Sequence, residues 1–328
     1  VRESQLLEHI FARTRDIASR FEQVLVGPGH DCAVVGMGDG RRGSLLLKVD
    51  QVIEGRHFTS QTPISLIGRK ALARPLSDIA AAGGTPLCAL VAATLPANSR
   101  FTHEQVIQLV DAVHDAGGQF DCPVVGGDIA RHADPNGPLQ LSVSVVGRPH
   151  ALRGPVLRSG VRVGDFLYVT GELGGSFRAA PDETFGFPGG GKHLMFTPRL
   201  AEAKWLADAL GDELHAMMDI SDGLGRDAGR MARRSNVVLE LDASRIPLAA
   251  GVQDVRSALG DGEDYELLFA SPRAPMPATI GPNATPVRLI GVASARTGEH
   301  EEWDRGDCVV RWPDGRIEDI GNVGWDHG

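Results

Sequence analysis

Ser44-Leu-Leu-Leu-Lys-Val-Asp50 and, after a short connection, Pro63-Ile-Ser-Leu-Ile-Gly-Arg-Lys-Ala-Leu-Ala-Arg-Pro-Leu-Ser-Asp-Ile-Ala-Ala-Ala-Gly-Gly84 decide the fold class of this chain. The first stretch alternates as a strand does. Leu46, Lys48 and Asp50 fall on one face, and Leu45, Leu47 and Val49 on the other. The second reads as a helix over 63–82, with Pro63 in the favoured first turn and Gly83-Gly84 as its stop. A strand over 87–94 follows, so strands and helices alternate in the way of a mixed α/β unit.

Working outward, residues 3–20 carry Leu6, Leu7, Ile10, Phe11, Ile17 and Ala18 as one apolar stripe, predicting an amphipathic helix and not a secretion signal. Further strands are expected over 32–35, 123–125 and 139–146, with a helix over 102–116. Residues 148–164 are rich in Gly, Pro and Arg and read as the crossing between halves. Beyond it come helices over 173–180, 198–210 and 223–234, strands over 166–170, 237–241, 265–270 and 287–292, and a β-rich tail. The organisation is α+β, with two mixed α/β domains at 1–150 and 151–328.

Composition narrows the function. The 328 residues carry a net charge of -9 without a long basic run, which argues against binding nucleic acid through its phosphates. An acidic protein that handles phosphates needs cations, and divalent ions are the usual source. Cys32, Cys88, Cys122 and Cys308 are scattered and form no C-x-x-C pair, so a reducing cytoplasm is expected. The longest apolar stretch, around 87–97, is too short to span a bilayer as a helix.

The chemistry lies in aspartates. Asp31, Asp50, Asp78, Asp128, Asp219 and Asp222 all sit at the ends of predicted elements beside small residues. Carboxylates so placed can hold a hard cation such as Mg2+; Asp beside Gly or Ser is equally ordinary turn and cap chemistry. Lys48 and Asp50, neighbours on one strand face, suit a phosphate–metal site, or a solvent-facing ion pair of little energetic weight. The run Asp219-Ile-Ser-Asp222-Gly opens a helix whose free amides and dipole favour an anion such as phosphate; Ser221 can also be read as the N-cap, and the two roles are compatible. Gly186-Phe-Pro-Gly-Gly-Gly-Lys-His193 approaches a P-loop. His193 replaces the magnesium-binding hydroxyl there and no apolar strand leads in, so that reading is rejected.

Taken in order, Gly29-His-Asp-Cys-Ala-Val, Val49-Asp-Gln-Val-Ile-Glu-Gly-Arg-His57-Phe, Leu76-Ser-Asp78-Ile-Ala-Ala, Gly126-Gly-Asp128, Arg158-Ser-Gly, Asp219-Ile-Ser-Asp-Gly-Leu, Gly262-Glu-Asp-Tyr-Glu and Gly324-Trp-Asp-His resemble the thiamine-monophosphate kinase family. That family belongs to the aminoimidazole ribonucleotide synthetase-like superfamily of ATP-binding proteins. The resemblance implies phosphoryl transfer from ATP to thiamine monophosphate with Mg2+. The six aspartates would be the ligands, and Asp50, Asp222 and Lys48 would stand at the reacting phosphates. Gly127, Asp128, Arg158 and Ser221 would meet ATP. His57, Glu263 and Trp325 would face thiamine monophosphate, with Trp325 stacked on its ring. A homodimer is implied, its N-terminal sheets paired into a shared barrel.

Three departures stand out. His30 replaces the first of two adjacent aspartates, Lys48 and Val49 replace hydroxyl residues, and Ile129 replaces a threonine. A protonated lysine cannot ligate a metal. Two other readings stay open: a different ATP-dependent enzyme of the superfamily, and a weakened protein that senses nucleotide or thiamine phosphates.

Overall fold

The computed structural model of the chain describes residues 3–38, 43–97, 101–134, 136–176, 191–295 and 308–325. Its first sheet contains β1 (Val24–Val26), β2 (Ala33–Gly36), β3 (Ser44–Ile53), β4 (Thr85–Leu95), β5 (Val124–Arg131) and β6 (Gln140–Arg148). They are ordered β1-β2-β3-β6-β4-β5, antiparallel except for the parallel β4–β5 pair. The second sheet holds β7 (Phe166–Thr170), β8 (Ala216–Asp219), β9 (Val238–Asp242), β10 (Leu267–Ser271), β11 (Thr279–Ile280), β12 (Thr285–Ser294), β13 (Cys308–Arg311) and β14 (Ile317–Asp319). Its order is β14-β13-β9-β12-β7-β10-β8, with β11 on β12.

The helices are α1 (Glu3–Arg13), α2 (Ile17–Arg20), α3 (Ile64–Ala81), α4 (His103–Gln119), α5 (Lys192–Met195), α6 (Leu200–Leu210), α7 (Leu224–Ser235) and α8 (Val255–Gly260). The central one is α3. It packs on β3, β6 and α4 of the first half and reaches α6 and β8 of the second. Most of α3 is buried: Leu72, Leu76 and Ile79 are fully so, each contributing roughly 1.5–3 kcal/mol, while Lys70, Ser77 and Asp78 form a buried polar stripe. Small residues let it pack closely: a Cβ at Gly68 would meet Ala112 Cβ at 2.7 Å. Thr102 and Gln105 form a reciprocal capping box at the start of α4.

The α3–α4 layer covers one face of the first sheet, over Leu46, Val52, Leu141, Val143 and Val145. The other face is bare, with Leu47, Val49 and Leu90 exposed to 39%, 58% and 47%. The edge strand β5 is exposed along most of its length. The second sheet is covered on both faces. Leu167, Val169, Met218 and Leu268 pack with Leu224, Ala228, Ala258 and Leu259 of α7 and α8. Tyr168, Met217 and Phe269 pack with α6 and with Ala80 and Ala81 of α3. No helix among the described residues is long and apolar enough to cross a membrane.

The mixed α/β class and the facing of Leu46, Lys48 and Asp50 agree with the sequence reading. Four elements do not. The helix expected over 3–20 is two, broken where the Thr14 hydroxyl donates back to Ile10 O at 2.7 Å, and its apolar stripe lies at the surface. At residues 173–176 the chain is not helical, because Gly174 and Gly175 take positive φ and Leu173 N–H donates to Pro247 O; residues 177–180 lie outside the described set. The short strand expected over 123–125 runs on to Arg131. The strand expected from 265 starts at Leu267, because Glu263 and Tyr265 are left-handed, at φ 53° each.

Candidate active site

Four parts of the chain deliver one acidic cluster. The turn before β2 brings Asp31, the buried face of α3 brings Ser77 and Asp78, and the inward face of β3 brings Lys48 and Asp50. The end of β8 brings Asp219. One carboxylate oxygen from each of Asp31, Asp78 and Asp219 lies within 4.8 Å of the others, and all three residues are buried. Burial, with the charge of Asp219, pushes the Asp78 carboxyl well above its usual range although Lys48 pulls it down. Burial and the charge of Asp31 raise that of Asp219 to about 7.

The partners of these groups are specific. Lys48 Nζ donates to Asp78 Oδ1 at 2.7 Å and lies 3.5 Å from Asp50 Oδ1. Burial works against its charge, but Asp50 and Asp78 outweigh that and raise its pKa. Ser77 Oγ donates to Asp219 Oδ2 at 2.7 Å. Arg158 donates from Nε and Nη2 to Asp31 Oδ1 at 3.0 and 2.8 Å. Asp31 Oδ2 is buried without a hydrogen-bond partner among the described residues. A cluster of this kind is costly unless a cation compensates it.

Within the Asp219–Gly223 run, the amides of Ser221 and Asp222 are not free. The N–H groups of Ser221 and Asp222 both donate to Asp227 Oδ2 at 2.9 Å, so a buried carboxylate in the first turn of α7 already fills the anion position. The N-cap of α7 is Gly223, without a side-chain cap, so Ser221 is not it. Asp222 is ion-paired with Arg230.

Beside the cluster lies a cleft lined by Arg56, His57, Arg74, Ser221, Asp222, Asp261, Glu263 and Trp325. It unites three residues far apart in sequence: His57, Glu263 and Trp325. His57 Nδ1 accepts the Ile53 N–H at 3.0 Å. Glu263 is fixed through its backbone, whose N–H donates to Ser221 O at 2.7 Å, and through its ion pair with Lys70. The backbone N–H of Trp325 donates to Asp222 O at 2.8 Å. Its ring is 46% exposed, with the Arg56 guanidinium 5.3 Å from the ring centre.

Lys70 is fully buried. Its three donors meet His57 O at 2.8 Å, His193 Nδ1 at 2.8 Å and the Glu263 carboxylate. Burial lowers its pKa to about 8 against the pull of Glu263. Glu263, despite its own burial, is held well below the usual carboxylate range by Lys70 and His193.

Two predicted residues stand apart. Gly127 and Asp128 lie on β5, which β6 and β4 separate from β3, and Asp128 does not join the buried carboxylates. Gly127 has a packing reason of its own, since a Cβ there would meet Val91 O at 1.9 Å. Sequence reasoning missed Lys70, Arg74, Ser77 and Asp227. The first three recur every three or four residues on an otherwise apolar helix, a polar stripe that could have been read as aimed at one site.

The sequence and the architecture have counterparts. The AIR synthase related protein N-terminal domain matches residues 29–148 and the AIR synthase related protein C-terminal domain residues 162–285. The thiamine-monophosphate kinase of Rhodopirellula baltica is 33% identical over 314 residues, which cover 90% of each chain. The chain belongs to the thiamine-monophosphate kinase family. A solved structure described as AaThiL complexed with AMPPCP and TMP is 27% identical, covers 100% of this chain and 99% of its own, and superposes with a TM-score of 0.76. The thiamine-monophosphate kinase of Stenotrophomonas maltophilia K279a is 26% identical over 94% of this chain and 96% of its own, with a TM-score of 0.66.

Proposed function

We propose that this member of the family transfers the γ-phosphoryl group of ATP directly to thiamine monophosphate, giving thiamine diphosphate and ADP. The observation that carries the reading is that the chain joins the two sets of residues closely: the cleft of His57, Glu263 and Trp325 is also lined by Arg74, one turn before Asp78 on α3, and by Ser221 and Asp222, which follow Asp219 of the acidic cluster. The family relatives and the complex with AMPPCP and TMP support it. In-line transfer needs positioned reactants and neutralised charge more than a covalent nucleophile, and the site offers those two things.

The donor set fits Mg2+. Three buried carboxylates converge, two with raised pKa and one with an unpartnered buried oxygen. Asp31, Asp78 and Asp219 would hold the ion, with Asp50 and Asp222 at its border. When bound, Mg2+ supplies positive charge to the phosphoryl oxygens. Lys48 adds a fixed charge at Asp78 and Asp50. Arg158 orients Asp31 and, with Ser221, would meet the ATP phosphates. His57 and Glu263 shape the acceptor cleft, and Trp325 offers its exposed ring to the thiamine ring.

The same reading includes a homodimer and a division of the chain at residues 150 and 151. Leu47, Val49 and Leu90 form an apolar face next to the unprotected edge of β5, a surface that a second copy would cover. Gly127 and Asp128 lie on that edge, so pairing of sheets would bring them to an ATP site shared between copies. A coupled ADP-release assay with and without thiamine monophosphate tests the activity. ADP release that does not depend on thiamine monophosphate contradicts it.

A further inference from the structure

Along α3, Arg74 is the one residue from Ile67 to Ala81 that is not buried, and it lines the cleft with His57, Glu263 and Trp325. Part of its guanidinium is occupied, with Nη1 donating to Gln51 O at 2.9 Å. Its Nε is buried and has no partner among the described residues. The hydroxyl of Tyr265 is in the same condition. That ring is 2% exposed and is fixed by stacking on Phe196, with centroids 3.7 Å apart. Arg74 lies close enough for its charge to bear on the Tyr265 hydroxyl, and the charges of Asp50 and Glu263 bear on both groups.

Two donors, one on a residue that lines the cleft, are therefore buried near one another, and neither Arg74 Nε nor the Tyr265 hydroxyl has an acceptor among the described residues. Buried donors are rarely left unpaired. The nearby carboxylates have cations of their own: Asp78 has Lys48 and Glu263 has Lys70. A guanidinium beside a hydroxyl suits an oxyanion with several acceptor oxygens, and a phosphate monoester is such a group.

We infer that Arg74, with the Tyr265 hydroxyl beside it, receives the phosphate of the acceptor substrate and so makes the site select a phosphorylated over an unphosphorylated thiamine. The inference rests on the acceptor reading given above. It predicts a loss confined to one part of one ligand, which a merely structural arginine would not produce.

The test is calorimetric titration of the full chain with thiamine monophosphate, thiamine and ATP in separate arms, for wild type, Arg74→Ala, Arg74→Lys and Tyr265→Phe. Arg74→Ala should weaken thiamine monophosphate about tenfold or more, the loss expected for a charge-assisted contact. Thiamine and ATP should change less than about twofold, with Arg74→Lys and Tyr265→Phe intermediate. Equal losses for thiamine monophosphate and thiamine, a loss on ATP instead, or no loss at all would overturn the inference. A wild type that binds neither thiamine compound overturns the acceptor reading, and the inference with it. Should Arg74→Ala not fold, as a thermal melt would show, the ratio measured with Arg74→Lys and Tyr265→Phe decides in its place.

Discussion

The ammonium of Lys48 lies 2.7 Å from Asp78 Oδ1, so a cation carried by β3 sits within the acidic cluster that α3 and β8 build. A lysine there delivers one charge without the coordination geometry of an ion. The proposed site therefore needs less divalent charge than one with a hydroxyl at the same position. Lys48→Ser should raise the number of Mg2+ ions required, with activity retained or increased once Mg2+ is abundant. Lys48→Ala should lose phosphate affinity that Mg2+ restores only in part. A peripheral ion pair would instead contribute at most about 1 kcal/mol of stability and nothing to turnover. Three superimposable Mg2+ titrations would show that Lys48 has no part in the chemistry.

Asp219 should make cation binding at the proposed site depend on pH. Its carboxyl is raised from 3.8 to about 7 by burial and by the charge of Asp31. Between those values the folded chain keeps a proton that the unfolded chain releases, so this group's contribution to stability falls as pH rises through the window. Mg2+ competes with that proton. The thermal shift produced by Mg2+ should thus grow from pH ~5.5 to ~8 and release protons on binding. Melting curves with Mg2+ and with chelator across that range check the sign; a shift that shrinks with pH contradicts it.

Lys70 holds both walls of the proposed acceptor cleft, through His57 O and Glu263. Lys70→Met removes one partner of a buried pair and leaves a buried carboxylate, which should cost about 3–5 kcal/mol. Pairing it with Glu263→Gln should recover much of that loss. Urea denaturation of the two single variants and the double variant measures the coupling, and strictly additive effects would mean that the pair is not coupled.

Trp325 should matter to one substrate only. Its ring is half exposed at the cleft, under Arg56. Trp325→Ala should weaken thiamine monophosphate by about 0.5–1.5 kcal/mol and leave ATP unchanged. Equal effects on both would remove the ring from the acceptor side.

The positions of Asp31, Asp78 and Asp219 were legible because each sits in a short motif at an element's end, and the facing of Lys48 and Asp50 followed from strand alternation. Other features were hidden for physical reasons. Ala216-Met-Met-Asp219 is buried on both faces, so β8 shows no alternation. A lysine on a helix ordinarily reads as solvated, which concealed Lys70 until Glu263, nearly two hundred residues away, was seen against it. The filled amides of Ser221 and Asp222 depend on Asp227, whose role only the folded turn reveals. The separation of Gly127 and Asp128 from the acidic cluster follows from the strand order, with β6 and β4 between β5 and β3, which local pattern does not encode.

The central claim is direct phosphoryl transfer to a phosphorylated acceptor. Phosphorus NMR of the full chain with Mg2+, ATP and thiamine monophosphate follows every phosphate at once. The account predicts ADP and thiamine diphosphate appearing together in equal amounts, with no free phosphate as an obligatory intermediate and none of these products when chelator removes Mg2+. ATP converted to ADP and free phosphate while thiamine monophosphate stays unchanged would contradict it.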